Sequence, residues 1–183
     1  LCENNKLRKA YVNNGGDIAI YLEDNEVFNI GIITDLKTRA IGGTIAITQI
    51  DNINGIATSG RHGRSHSLGI ADAVTVLAKN SAQADAAATL IANAVDLQDT
   101  TLVKKIPANE LSPDSDLADK LVTVDVAKLP QKLAERAVEK GCDRAVDYIN
   151  RGLIKAATIS LQGIVEVVGS RHILTQNGNA KIS

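Results

Sequence analysis

The sequence holds no methionine and no tryptophan, and aromatic residues make up only 2% of its 183 positions. The aromatic set is Tyr11, Tyr21, Phe28 and Tyr148. So few rings argue against a surface that stacks single-stranded nucleic acid, where successive bases need aromatic platforms. Charge of one sign is missing too: 20 Lys and Arg stand against 21 Asp and Glu, a formal net charge of −1. That balance excludes a generally basic nucleic-acid binder and leaves room only for a local basic patch. No apolar run approaches the roughly 20 residues that span a bilayer, so no membrane partner is expected. Cysteine is limited to Cys2 and Cys142, far apart and without a CxxC or metal-ligand spacing. A disulfide framework is not expected, which fits a reducing, cytoplasmic setting. The absent methionine has a different consequence. Cores use Met as filler and genes begin with it, so a chain starting at Leu1 is expected to lack an N-terminal portion, or to be written without its methionines.

What is present has the profile of one globular domain over residues 1–183, with 44% hydrophobic and 22% charged residues. Asp17–Leu22 and Val27–Ile33 are β-rich runs, and the polar Glu23–Glu26 between them signals a hairpin. Thr44–Ile50 alternates with period two, as a half-buried strand does. Gly55–Thr58 and Ala73–Leu77 read as short strands around the polar loop Ser59–Gly69. An alanine-rich helix follows, capped by Asn80 or Ser81 and running to about Val95. Ala84, Ala88, Ile91 and Val95 share its apolar stripe, and Asp85, Thr89 and Asn93 form a polar stripe at i, i+4, i+8.

Asp96–Lys120 is polar and turn-rich and reads as a long surface connection. Leu121–Val126 is a strand, and Pro130 opens an amphipathic helix that closes near Gly152, with Gly141 a point where it could break. Ile154–Leu161 and Ile164–Val168 flank Gln162-Gly163, a two-residue hairpin turn, and Arg171–Thr175 is a last short strand. Hairpins with interspersed helices predict an α+β domain, an antiparallel sheet with helices packed on one face.

Three segments concentrate groups that carry chemistry. In Asn13-Asn14-Gly15-Gly16-Asp17 the glycines let backbone amides approach a ligand, and the polar flanks suit ribose or phosphate; the alternative is a plain turn held by Asn side chains. Thr58–Ser67 packs two arginines, two histidines, three serines and two glycines into ten residues, which suits an anion site; the alternative is a solvated basic loop. A serine near a histidine in sequence makes no triad without geometry. On the helix, Asp85 and Thr89 are spaced to present a carboxylate and a hydroxyl together, as oxygen ligands for Mg²⁺. The alternative is an acidic residue favoured near a helix start by the macrodipole.

Together these segments resemble a known family. Asn13–Asp17 before a strand, then Ala57-Thr58-Ser59-Gly60, then Val74-Thr75-Val76-Leu77-Ala78 and Ala84-Asp85-Ala86-Ala87-Ala88-Thr89 follow the signature order of the ApbE-like superfamily. The resemblance spans about Val12 to Val95. Ser112–Leu117 and Leu121–Val126 are similar to an uncharacterised branch of that superfamily. The superfamily includes transferases that move FMN from FAD onto protein threonines with Mg²⁺. The resemblance implies a T-fold-like domain that forms a homo-oligomer and binds a nucleotide-like small molecule. Asn14, Gly15, Gly16, Asp17, Thr58, Ser59 and Gly60 would line the site for FAD or FMN, with Arg61 and Arg64 on phosphate and Mg²⁺ on Asp85 and Thr89. His62 and His66 are the acid–base candidates, because imidazole titrates near neutral pH. Tyr11 and Tyr21, flanking the glycine pair, are the rings able to stack on an isoalloxazine. Where the family carries H-I-I-D-P-x-T-G, this chain has Ser67-Leu68-Gly69-Ile70-Ala71-Asp72 after His66. Three functions are consistent with these residues: a nucleotide-binding ApbE-like protein, an FMN transferase with an altered motif, and a non-enzymatic binding or assembly module.

Overall fold

The computed structural model describes residues 7–35, 40–63, 65–98, 101–169 and 174–175. Its centre is a six-stranded antiparallel sheet built from β1 (Lys9–Asn14), β2 (Asp17–Leu22), β5 (Gly55–Ser59), β6 (Ala73–Ala78), β9 (Ala156–Leu161) and β10 (Ile164–Gly169), in that spatial order. On one face lie α1 (Ser81–Ala94) and α3 (Gln131–Asn150). This is the expected α+β arrangement of an antiparallel sheet with helices on one face.

The opposite face carries a second sheet, β11 (Leu174–Thr175), β4 (Ala40–Thr48) and β3 (Val27–Asp35). Every residue of β6 and of β9 is therefore buried, as in strands covered on both sides. Val74, Val76, Ala157 and Ile159 face the helices, while Leu77 and Ala156 join Ile45, Ile47, Ile53 and Ile56 in the core beneath the second sheet. Between β6 and β9 the chain also forms β7 (Val103–Pro107), the one-turn helix α2 (Ala108–Leu111) and β8 (Leu121–Val126); β7 and β8 pair as a separate ribbon.

Small residues set the helix spacing. Asn80 caps α1 by accepting the Gln83 amide at 2.9 Å. The buried face of α1 is Ala84, Ala87, Ala88, Ile91 and Ala92, and that of α3 includes Ala134, Ala137, Gly141 and Ala145. Gly141 does not break α3: a Cβ there would lie 2.5 Å from Val95 Cγ2, so the glycine lets the end of α1 pack against the middle of α3. Cys142 beside it is half-buried, and burial with nearby Glu166, Asp143 and Glu139 pushes its thiol up to about 11. It is a packed thiol rather than a nucleophile at neutral pH.

Three local expectations change. Glu23–Glu26 does reverse the chain, but β2 and β3 belong to different sheets, so it is a crossover and not a hairpin. Asn13–Asp17 is instead the hairpin turn, since Lys9–Asn14 forms a strand that the sequence did not announce. The polar stretch 96–120 contains β7 and α2 rather than connection alone. Of the expected last strand, Leu174 and Thr175 are strand, and 170–173 lie outside the described residues. Among the described residues, no helix is long and apolar enough to cross a membrane.

Candidate functional site

The turn between β1 and β2 has Gly15 at φ +69° and Gly16 at φ +119°, a left-handed backbone that favours glycine at both positions. Asn13 Oδ1 accepts the Gly16 amide at 3.0 Å, closing the turn from its own side chain. β2 pairs with β5 so that Ile18 faces Ile56, which carries the turn alongside Thr58. A Cβ on Gly16 would sit 3.9 Å from the Thr58 carbonyl oxygen. The first two chemistry-bearing segments, Asn14–Asp17 and Thr58–Gly60, thus meet at one end of the six-stranded sheet.

The same end carries the chain exits of its neighbours. Ser59 is opposite Val74, Ala73 is opposite Ser160, and Leu161 leads into the Gln162-Gly163 turn. Thr58 and Thr75 hydroxyls lie 2.9 Å apart across β5 and β6. Beyond Ser59 the chain turns sharply at Gly60, φ +156°, where a Cβ would come within 2.5 Å of the Asp72 carbonyl oxygen. Backbone bonds then fix the loop: the Arg61 amide donates to Ala71 O at 2.9 Å and the Gly63 amide to Gly60 O at 3.0 Å.

Asp72 is the residue that reading the sequence missed. It is 7% exposed, in a buried run that continues through β6. Its Oδ1 accepts Arg61 Nε at 2.9 Å and lies 2.8 Å from Arg61 Nη2. His62 Nε2 is 3.8 Å from the same oxygen. Oδ2 accepts the Gln162 amide at 2.5 Å. The Gln162 side chain in turn bonds the Leu129 amide at 2.9 Å and Ala127 O at 2.8 Å, tying the site to the start of α3. A signal for Asp72 was present in the sequence: one carboxylate amid the apolar Ile70–Ala78 has to be paired if it is buried.

The remaining loop docks on α1 and on the β7–β8 ribbon. Asn93 Oδ1 accepts the Leu68 amide at 3.0 Å, the Ile70 amide donates to Val95 O at 2.8 Å, and the Thr123 amide to Ser67 O at 2.8 Å. Lys105 Nζ bonds Leu68 O at 2.7 Å and both oxygens of Asp96 at 2.8 Å. His66 is exposed, with Nε2 3.2 Å from Ser112 Oγ.

Asp85 and Thr89 are exposed on α1. They share the stripe that ends at Asn93, and helical rise puts Asp85 about 12 Å along the axis from it. Among the described residues, no three His, Cys, Asp or Glu side chains are grouped to hold a metal. One carboxylate and one hydroxyl fit Mg²⁺ only in the manner of a water-rich site completed by ligand oxygens. Tyr11 is 64% exposed and packs edge-on to Phe28 with centroids 6.1 Å apart. Tyr21 Oη donates to Glu23 Oε1 at 3.2 Å. Arg64 lies outside the described residues. The structure therefore gathers the glycine turn, the Thr58–Gly60 strand exit, Arg61 and His62, while Asp85 and Thr89 lie along α1, whose start packs on Gly55 at the opposite end of β5.

Over residues 1–167 the chain matches the family model described as AbpE bacteria, and it belongs to that family. Among similar proteins, the UPF0280 protein of Methanocaldococcus jannaschii is 40% identical over 95 residues, which cover 51% of this chain and 39% of that protein. The UPF0280 protein of Methanopyrus kandleri is 40% identical over 83 residues, 45% of this chain and 33% of that protein. That of Methanococcus aeolicus is 34% identical over 146 residues, 74% of this chain and 58% of that protein. The chain thus aligns with about a third to three fifths of the length of these relatives.

Proposed function

We propose that this chain is an ApbE-like protein that binds a phosphate-bearing heterocycle, a flavin nucleotide such as FAD or FMN, at the end of its six-stranded sheet. The observation that carries the reading is the approach of the Gly15-Gly16 turn to the Thr58 strand exit, where an added Gly16 Cβ would lie 3.9 Å from the Thr58 carbonyl oxygen, two residues before Gly60. Asn14, Gly15, Gly16 and Asp17 supply backbone and side-chain donors and acceptors from one side; Thr58, Ser59 and Gly60 supply them from the other. Arg61 and Arg64 take the phosphate. His62, beside Asp72, is the better placed acid–base candidate, because His66 is turned to Ser112. Bound Mg²⁺ would neutralise phosphate charge, with Asp85 and Thr89 as its protein ligands and water and phosphate oxygens completing the shell. A cytoplasmic homo-oligomer is part of the same reading.

Binding is favoured over flavin transfer by what stands in the segment 67–72. Here Leu68 and Ile70 fasten the loop to the last turn of α1, and Asp72 anchors Arg61. That segment builds the floor of the site, and the Asp-Pro and Thr-Gly pairs of the transfer motif have no counterpart in it.

Calorimetry with FMN and riboflavin tests the proposal. Replacing both arginines, Arg61→Gln with Arg64→Gln, is expected to weaken FMN at least tenfold and to leave riboflavin within about twofold, since charge-assisted bonds to phosphate are the strong ones. Asp85→Ala is expected to remove the Mg²⁺-dependent part of FMN affinity alone. Equal losses for both ligands, or FMN binding indifferent to Mg²⁺ before and after Asp85→Ala, would contradict the phosphate and metal assignments respectively.

A further inference from the structure

We infer that Asp72 is a positioning residue for the anion subsite: it holds the Arg61 guanidinium by one edge so that the other edge is presented to a phosphate or diphosphate group. The inference rests on the nucleotide-site reading and extends it to a residue that touches no ligand.

The loop does not need this ion pair to keep its course. Gly60 at φ +156° makes the turn, the Arg61 amide is held by Ala71 O, and the Gly63 amide by Gly60 O. What the pair fixes is the side chain. Arg61 directs Nε and Nη2 at a single oxygen of Asp72, and among the described residues Nη1 makes no hydrogen bond. A free arginine on a glycine-rich loop samples many rotamers, and binding an anion would have to freeze them. Here they are already restricted before any ligand arrives.

Asp72 can perform that task because it is itself immobile. Its backbone amide donates to Ser160 O at 2.9 Å, and its second oxygen takes the Gln162 amide. Gln162 is locked by two further bonds to the 127–129 segment. The carboxylate is therefore fixed from β9, from the β9–β10 turn and from the approach to α3, while Arg61 comes from the loop after β5. This convergence places a rigid anchor behind the guanidinium and 11 residues away in sequence.

The test uses Asp72→Asn, whose amide oxygen can still accept the Gln162 amide but carries no charge for Arg61. Inorganic pyrophosphate is the anion probe, measured by calorimetry beside FMN and riboflavin. Exchange of the Arg61 Nε–H, followed by ¹⁵N NMR in the ligand-free protein, reports on the guanidinium directly. The expected results are a roughly tenfold loss of pyrophosphate and FMN affinity, riboflavin affinity unchanged, and faster Nε–H exchange. In the Arg61→Gln background, Asp72→Asn is expected to add no further loss, because the two act as one unit. The inference is overturned if pyrophosphate is not bound, if it binds wild type and Asp72→Asn alike, if riboflavin is lost in step with FMN, or if the two substitutions add. Should pyrophosphate bind with the expected dependence while no flavin binds at all, the flavin reading falls and the positioning role of Asp72 stands.

Discussion

Asp72→Ala is expected to lower the unfolding free energy by about 3 kcal/mol, the low end of the range for breaking a buried ion pair from one side. Two losses combine. The Arg61 guanidinium, with a side chain only 17% exposed, is left without its counter-charge, and the Gln162 amide is left without its acceptor. The remaining solvent contact of Arg61 keeps the figure at the low end. For a domain of this size the change corresponds to roughly 6–12 °C in Tm. Asp72→Asn, which keeps the acceptor, is expected to cost about half as much. Thermal unfolding of the two variants checks the ordering. Equal stabilities for Asn and Ala would mean that the Gln162 bond contributes nothing.

A comparably large effect is expected from adding one methyl group to Gly69. A Cβ at this position would lie 2.1 Å from Ala92 O, 2.8 Å from Val95 O and 2.9 Å from Asn93 Cα. All three are backbone atoms of the last turn of α1, so no side-chain rotation relieves the overlap. Gly69→Ala is expected to cost about 3 kcal/mol, the upper part of the usual range for overpacking. The alternative for the chain is to lift the loop, losing the Leu68 amide bond to Asn93 and the Ile70 amide bond to Val95. Gly43→Ala is the matched control, since a Cβ there meets nothing within 4 Å, and it is expected to stay within about 1 kcal/mol of wild type. If denaturant titration gives both variants the same stability, the loop is not pressed on α1 as described.

These two residues also show where the sequence was readable. Local chemistry marked most elements closely: Asp17–Leu22 and Leu121–Val126 are strands as read, and Asn80 caps α1. Periodicity also placed the Ala84, Ala88 and Ile91 stripe in the core. Partnership was less legible. Glu23–Glu26 has turn composition, and turn composition reports a reversal of the chain without reporting whether the flanking strands pair. β1 escaped notice because Lys9–Asn14 has no strand-like alternation of buried and exposed residues; it stays in place through its register with β2. Gly141 resembled a helix breaker because propensity is local, whereas its reason is a contact with Val95 that only the tertiary structure supplies.

The candidate site divides in the same way. The glycine turn, the Thr58–Gly60 exit and the Arg61–His62 loop were visible as dense polar segments, and the sheet register brings them together. Asp72 was not visible as a site residue, because its significance lies in pairing with Arg61 across two strand ends. Asp85 and Thr89 were readable as a helical pair, and their spacing says nothing of the distance to the loop. Asn93, the third member of that stripe, joins the stripe to the loop through Leu68.

The central claim is that the end of the six-stranded sheet is a nucleotide site. Titrating FMN and Mg²⁺ into ¹⁵N-labelled protein tests it most directly. The account predicts saturable amide shifts at Gly15, Gly16, Ser59, Gly60 and Arg61, with smaller ones at Thr89 and Asn93. Saturable shifts confined to α3 and the β7–β8 ribbon, or no saturable shifts at all, would contradict it.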